Sequence, residues 1–228
     1  MSPPSPPQTP QLILLVDVKS TRSPFLLLAI DLPPPPIFQD VIEKNIVPQV
    51  PISTVLAKYD GITTQEAKGI LRRFKITRLP PFLILHIKRF TKNNFVEEKN
   101  PTIVNFPLRG VDMRDCSSFP FSRFARLTGS SIDVDPATPI SQYYDLVSNI
   151  THSSAAGTAR SETTWKAQVH IRPERDAEGK LLHDRTEEDE KWYQIQDLIV
   201  EEINRGMISL GESYIQVSIF ALLRFAMS

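Results

Sequence analysis

The chain has 228 residues, of which 41% are hydrophobic, and its 26 Lys and Arg residues balance its 26 Asp and Glu residues. This length accommodates one large domain or two small ones. A net charge of zero argues against nucleic acid as a direct partner. The single cysteine excludes an intrachain disulfide and a four-cysteine zinc site within this chain, and it fits a reducing compartment, the nucleus or the cytosol.

The sequence carries no secretory or membrane-spanning pattern. The apolar run at residues 12–16 is shorter than a signal core and has no basic residue ahead of it. No run approaches the roughly 20 apolar residues that a bilayer requires. We therefore expect no membrane partner.

The N-terminal part is rich in proline. The composition of residues 1–22 predicts a disordered, proline-rich N-terminus, within which residues 12–18 form at most a short strand. A proline-rich ligand for a recognition domain is the alternative interpretation of this segment. Residues 23–32 predict a strand, which the prolines at 33–36 end.

Two short helices are predicted next. Residues 53–61 predict a helix with Ser53 as its N-cap and Gly61 as its stop. Leu56 and Tyr59 would face inward. Residues 63–67 look like a second helix start.

The central stretch LPPFLILHIKRF, residues 79–90, predicts a strand. The proline pair makes the chain enter extended, and five of the next seven residues are apolar, which favours a strand buried on both faces. Lys88 and Arg89 would mark its emergence into water. Asn93 and Asn94 predict a tight turn, after which residues 95–106 would return as the second strand of a hairpin in the middle of a sheet.

The remaining elements are predicted mainly as strands. These are residues 143–152, 165–171, 192–197 and 213–216. Between them we expect a loop at 133–139, a loop at 153–163, a solvated charge run at 172–191 and a helical turn at 200–203. The three phenylalanines at 119, 121 and 124 would pack on the sheet edge, with an aromatic ligand patch as the less favoured alternative.

The central stretch also resembles a known family. LPPFLILHIKRF is similar to the "LP..L...LKRF" strand of the ubiquitin-specific proteases, and residues 143–152 resemble that family's "Y.L..V..H.G" strand. TKNNFVEEKNPTIVNFP resembles the tri-snRNP-associated, Sad-type splicing-factor branch. The resemblance covers residues 23–216. It implies an α+β, papain-like cysteine-protease fold, mainly the antiparallel-sheet palm with remnant fingers and without the thumb.

In that family, catalysis needs a thiolate, a histidine and a residue that orients the histidine. Cys116 is the only thiol and matches no family nucleophile position, so a structural or surface role is favoured over a catalytic one. The triplet that carries the family histidine has Thr164 at its centre. His152, His170 and His183 do not take its place.

The orienting residue follows a "W..F" pattern, which Trp192 and Ile195 match. Gln196 therefore takes the orienting position, and Asp197 follows as an exposed or turn-stabilising carboxylate. With the nucleophile missing, the histidine replaced and the third member altered, the resemblance implies no catalytic residue, no metal and no cofactor.

The resemblance thus implies a pseudoenzyme of the nucleus that acts in pre-mRNA splicing with tri-snRNP proteins and binds ubiquitin weakly at most. Two alternatives stay open. One is an active deubiquitinase whose N-terminal catalytic half is missing or supplied separately. The other is a partial polypeptide that does not fold alone, because a sheet without its thumb exposes apolar surface.

The end of the sequence departs from the family pattern. After Gln216 the chain is apolar where relatives turn basic and polar. We hypothesise that residues 217–228 form an aberrant tail translated from an unremoved intron, and that the N-terminus is misassigned in the same way.

Overall fold

The computed structural model describes residues 18–34, 47–92, 97–117, 142–154, 163–170 and 191–221. Most of them form β-strands, accompanied by one short α-helix and two 3-10 helices. The strands are β1 (Leu28–Asp31), β2 (Gln49–Pro51), β3 (Gln65–Ala67), β4 (Ile70–Arg72), β5 (Phe82–Lys88), β6 (Phe90–Lys92), β7 (Glu97–Lys99), β8 (Ile103–Asn105), β9 (Val111–Asp112), β10 (Tyr143–Ser154), β11 (Thr163–His170), β12 (Trp192–Gln196), β13 (Ile199–Ile203) and β14 (Ser213–Phe220). The helix α1 spans Ile52–Leu56, and the 3-10 helices span Ala57–Tyr59 and Arg205–Leu210.

The main sheet has eight strands. Seven of them follow the spatial order β1-β5-β14-β10-β11-β12-β13, and β9 pairs with the start of β10. Only β1 and β5 pair in parallel, and the other pairs are antiparallel. Three two-stranded sheets, β2-β8, β3-β4 and β6-β7, accompany it. The fold class is therefore dominated by an antiparallel sheet, as the sequence predicted.

One face of this sheet, the inner face, carries the core. Leu83, Leu85 and Ile87 alternate along β5 and are almost fully buried, as two-residue periodicity requires. They lie beside Leu28 and Ile30 of β1, and the core cluster includes the buried side chains of α1. Helix α1 is too short to be stable alone, so packing on the sheet holds it.

The opposite face, the outer face, is apolar but only half-buried. Ile215, Ile150, Ala167 and Ile195 are paired in sequence across β14, β10, β11 and β12, so they form one row on this face. The described residues leave this row partly open to solvent.

A row of carboxamides crosses the inner face. Gln216, Asn149, Gln168 and Gln194 are paired in register across the same four strands. Asn149 Nδ2 donates to Gln168 Oε1 at 2.9 Å and to the carbonyl of Ile208 at 3.3 Å. The Asn149–Gln168 bond favours the observed register of β10 and β11, whereas Asn149 Oδ1 and Gln216 Nε2 are buried without a partner among the described residues.

The prediction that Arg89 emerges into water is wrong. Arg89 is instead fully buried, and its guanidinium donates to three backbone carbonyls. Nε and Nη2 reach Ser213 O at 2.9 and 2.7 Å, and Nη1 reaches Asn100 O at 2.8 Å. Longer bonds of 3.4 Å reach Thr102 O. Arg89 thus fastens the segment between β7 and β8 to the start of β14.

Several predicted strands are confirmed. Strands β5, β10, β11 and β12 lie where the sequence placed them, and β1 occupies the second half of the predicted strand at 23–32. The prediction that Leu56 and Tyr59 face inward is also confirmed, since both are buried.

The predicted central hairpin is wrong. The residues that follow β5 do not return against it: β7 pairs with β6, and β8 pairs with β2. The partners of β5 are β1 and β14, which are distant in sequence. Antiparallel pairing on either side of residues 93–96 does form, but it joins β6 to β7 outside the main sheet, and segments distant in sequence supply both neighbours of β5.

Two helix predictions are also wrong. Residues 65–67 form β3 rather than a helix start, and residues 199–203 form the edge strand β13 rather than a helical turn. Ser53 is not a cap, because the helix begins at Ile52 with Pro51 before it and no side-chain cap bond. The predicted stop, Gly61, has a φ of +80° and lies two residues after the 3-10 helix Ala57–Tyr59 ends.

Strand β13 is one outer strand of the main sheet. Within the described part of the chain it pairs only with β12. At the hairpin tip Leu198, Ile199 and Val200 are exposed by 98%, 62% and 59%, and Glu201 and Glu202 follow them.

The final strand is longer than predicted. It runs to Phe220, four residues past the predicted domain end at 216, and Ile219 and Phe220 are buried. The origin of residues 217–228 stays a prediction. Other predictions lie outside the described residues, namely those on residues 1–17, 93–94, 119–124, 133–139, most of 172–191, and 222–228. No helix in the described ranges is long and apolar enough to cross a membrane.

Candidate functional site

Thr164 lies on β11, directly opposite Ser153 of β10. The two hydroxyl oxygens are 2.7 Å apart and share a hydrogen bond. Threonine is half-buried here, and its hydroxyl has no affinity for a proton near neutral pH. The residue that the resemblance aligns with the family histidine therefore offers a hydroxyl that is hydrogen-bonded to a second hydroxyl.

Gln196 and Asp197 lie at the turn between β12 and β13. Gln196 pairs with Ile199, and Asp197 occupies the two-residue turn with φ of +53°, exposed to solvent. This agrees with the prediction of an exposed or turn-stabilising carboxylate. The ladder between β11 and β12 ends at Ala167 and Ile195, so Gln196 falls beside the segment that leads to Thr164. No hydrogen bond joins Gln196 to Thr164 within the described ranges.

His152 is packed rather than exposed for proton transfer. Its ring lies 4.5 Å from the ring of Trp165 and 5.1 Å from that of Phe90. Burial, together with the nearby charge of Lys99, lowers the pKa of the His152 imidazole. Its Nδ1 is buried without a hydrogen-bond partner among the described residues. The remaining predicted histidines do not join it: His170 packs on Trp192 at 5.3 Å, and His183 lies outside the described residues.

Cys116 is buried at the other end of the sheet. It follows β9, which pairs with Tyr143 and Tyr144 at the start of β10, whereas Thr164 pairs near the end of β10. Its thiol donates to the carbonyl of Leu56 at 3.4 Å. Burial, reinforced by nearby carboxylates, raises the pKa of the Cys116 thiol to about 11. Because the reactive species is the thiolate, this environment suppresses nucleophilic chemistry.

An aromatic cluster that was not predicted from the sequence lies beside Thr164. Phe90, Trp165 and Tyr214 come from three different segments, with ring centroids 5.1–6.1 Å apart. His86 joins at 4.9 Å from Tyr214. Trp165 remains 47% exposed. The cluster gives this corner of the sheet an apolar, rigid surface suited to binding rather than to acid–base chemistry.

A cleft of about 300 Å³ lies next to this cluster, lined by Asp31, Leu32, His86, Lys88, Phe90, Thr91 and Tyr214. Asp31 forms ion pairs with Lys58 and Lys88. Burial alone would raise the pKa of Asp31, but these two cations outweigh it and lower the pKa. The carboxylate is thus a fixed negative charge rather than a proton shuttle. No group of residues that could hold a metal ion occurs within the described ranges.

These features define the palm of a papain-like, ubiquitin-specific-protease fold. The chain belongs to the family of the ubiquitin carboxyl-terminal hydrolases, whose model matches residues 16–217. The family resemblance noted in the sequence is thereby confirmed.

Among similar proteins is the probable mRNA-splicing protein ubp10 of Schizosaccharomyces pombe, which is 45% identical over 200 residues. The aligned region includes 88% of this chain and 34% of ubp10. Ubiquitin carboxyl-terminal hydrolase 39 of Homo sapiens is 41% identical over 200 residues, with 86% of this chain covering 30% of it. The chain therefore spans about a third of the length of these relatives.

The fold is also similar to solved structures. The crystal structure of an essential yeast splicing factor aligns with a TM-score of 0.51 and 22% identity, covering 86% of this chain and 36% of that one. At this level of identity the likeness shows the fold alone, and it confirms the predicted fold class.

Proposed function

We propose that this chain is a non-catalytic, ubiquitin-specific-protease-like module that acts in pre-mRNA splicing in the nucleus, through the assembly or stability of the tri-snRNP. A relative named as a probable mRNA-splicing protein, 45% identical over 200 residues, supports the splicing role. The tri-snRNP as the assembly rests on the branch-specific string at residues 91–107.

One observation carries the non-catalytic part of the proposal. Thr164, which the resemblance aligns with the family's proton-transferring histidine, has its hydroxyl hydrogen-bonded to Ser153. A deubiquitinase cannot generate its thiolate or protonate its leaving amine without such a base. Removing a member of a catalytic triad typically lowers the rate by several orders of magnitude.

Hydrolysis of a ubiquitin–fluorophore conjugate tests this part. We expect no release above background from the purified chain, whereas an active family member serves as the positive control. The Thr164→His variant should also stay inactive, because Cys116 is buried at the other end of β10. Release that is lost in the Cys116→Ala variant would contradict the proposal and favour the deubiquitinase alternative.

The splicing part has a separate test. Tagged chain added to nuclear extract should co-purify with tri-snRNP proteins in preference to the separate U5 and U4/U6 particles. Depletion of the corresponding native protein, followed by add-back of wild-type and Thr164→Val chains, should restore splicing equally. Restoration that requires the Thr164 hydroxyl would show that this position has a chemical role after all.

A further inference from the structure

The hairpin formed by β3 and β4 projects from the described fold. Ala67 pairs with Ile70, and the two turn residues Lys68 and Gly69 both have positive φ, 55° and 73°, as a type I′ turn requires. All three residues of β4 are exposed. Leu71 and Ile70 are exposed by 70% and 54%.

The base of this hairpin is fixed to the body. The amide of Gly61 donates to the carbonyl of Phe74 at 2.9 Å, and the Phe74 ring packs on Tyr59 with centroids 6.2 Å apart. Asp60 Oδ1 accepts from the amides of Ile62 and Thr63 at 2.5 and 2.6 Å. The hairpin therefore has a defined direction, although a two-stranded ribbon has little stability of its own.

The hairpin is basic although the whole chain is neutral. Residues 62–76 contain four basic side chains and one acidic side chain. Arg72 pairs in register with Gln65, and Arg73 follows it, so the two guanidinium groups leave opposite faces of the ribbon. Lys68 lies at the tip. None of these three cations forms an ion pair with another described residue, and all three are exposed.

This distribution of charge distinguishes between two kinds of anionic partner. An acidic protein surface would meet one face of the ribbon and leave the cations of the other face unused. The major groove of a regular RNA helix is too narrow for a ribbon. Where a bulge widens it, the groove has phosphates on both walls, so a ribbon inserted there satisfies both faces and the tip together. The exposed Ile70 and Leu71 would then lie against sugars and base edges.

We propose that the β3–β4 hairpin binds structured RNA by inserting into a helical groove, with Arg72 and Arg73 contacting phosphates on opposite walls and Lys68 at the floor. The choice of RNA over DNA rests on the proposed function in splicing. The geometry of the hairpin does not depend on that function. This inference departs from the expectation, drawn from the net charge, that nucleic acid is not a direct partner. The net charge is summed over the whole chain, so it does not reveal the local excess of positive charge on the hairpin.

The test measures binding of the full chain to a fluorescein-labelled RNA stem of about 20 base pairs with an internal bulge that widens the groove. The Arg72→Gln/Arg73→Gln variant is compared with Lys19→Gln/Arg22→Gln, which removes the same charge from exposed positions elsewhere. Anisotropy titrations run from about 50 to about 200 mM salt, where phosphate contacts dominate the salt dependence.

We expect the hairpin variant to bind about tenfold or more weakly at about 100 mM salt, and its log–log salt slope to fall by between one and two. The control variant should change affinity by less than about twofold, as for non-contacting charges. Thermal melts of both variants should match wild type, because the substituted side chains are exposed. A third variant, Gly69→Val, disfavours the positive φ of the turn and should weaken binding without removing charge.

Other outcomes overturn the inference. Equal weakening in the two charge variants would show that only overall charge matters. Displacement of RNA by an acidic peptide that binds more tightly would assign the hairpin to an acidic protein. Equal affinity for a DNA duplex of the same sequence would refute the choice of RNA. Because the assay involves neither ubiquitin nor tri-snRNP particles, its failure leaves the proposed function in splicing standing. Failure of the proposed function would remove only the reason for choosing RNA over DNA.

Discussion

Replacing the buried Arg89 should destabilise the fold more than any surface change. Its three shorter hydrogen bonds reach the carbonyls of Ser213 and Asn100 at 2.7–2.9 Å. At about 1.5 kcal/mol for each bond from a charged donor, losing them costs about 4.5 kcal/mol. Relief of the buried charge offsets about 1 kcal/mol, so we expect Arg89→Met to lower the free energy of unfolding by about 3–4 kcal/mol, within the range measured for breaking buried polar pairs.

The Arg89→Lys variant separates charge from geometry. An ammonium group can reach one carbonyl but lacks the planar fork that holds Ser213 and Asn100 together. We expect a loss of about 2 kcal/mol, between wild type and Arg89→Met. The matched control is Arg22→Met, since Arg22 is exposed, and it should change stability by less than about 0.5 kcal/mol.

Urea unfolding followed by tryptophan fluorescence provides the measurement, because Trp192 is 2% exposed and reports on the sheet. Linear extrapolation gives the free energy of unfolding, and an unchanged m-value shows that all variants unfold from a comparable native state. The same urea midpoint for Arg89→Met and Arg22→Met would refute the reasoning. The hydrogen bonds of the Arg89 guanidinium would then contribute no more to stability than hydrogen bonds of the same carbonyls to water.

Three further predictions concern single side chains. The Cys116 thiol should resist alkylation at about pH 8 in the native state and react once urea unfolds the chain, because burial raises its pKa to about 11; rapid native labelling would contradict this. Gly211→Ala should cost about 1–2 kcal/mol, since the new Cβ would lie 2.9 Å from Thr151 Cγ2, and adding Thr151→Ser should recover most of the loss in a double-mutant cycle. The pKa of His152 is lower in the folded chain than in the unfolded chain, so as the pH falls the imidazole is protonated first in the unfolded chain. The free energy of unfolding should therefore fall as the pH drops below about 6.5. The His152→Gln variant should flatten that decline in urea midpoints measured between about pH 5 and about pH 8, and an unchanged slope would assign the decline to other groups.

Long strands with regular patterns were predictable from the sequence. The apolar run of β5 and the 12-residue β10 contain enough periodic positions to define both the element and its buried face. The assignment of Thr164 and Gln196 to the family's catalytic positions rests on literal strings and stays a prediction. The hydrogen bond between Thr164 and Ser153 could not be predicted, since Ser153 enters only through the register of β10 and β11.

Short strands were missed for a physical reason. Three or five residues hold too few positions for a period to show, and tertiary pairing decides their conformation. In β13 the β-branched Ile199 and Val200 were the available signal for a strand. For β3 and β4 the signal was Lys68-Gly69, a dipeptide that tolerates the positive φ angles of a tight hairpin.

Contacts between distant segments were beyond the reach of sequence patterns. The aromatic cluster combines Phe90, Trp165 and Tyr214, whose separation along the chain hides their proximity. Arg89 was placed in water because a charge is usually solvated. Its burial depends on carbonyls at Asn100 and Ser213 that only the folded topology brings together.

The exposed tip of β13 has a practical consequence for handling the protein. An open edge with three exposed aliphatic residues is a template on which another molecule can add a strand, the first step toward precipitation. Antiparallel pairing of two copies about Glu201 would place like charges face to face, so the two glutamates act as gatekeepers against self-assembly. Added salt screens that repulsion, so concentrated protein solutions should be less turbid in buffer of low salt concentration than in buffer of high salt concentration.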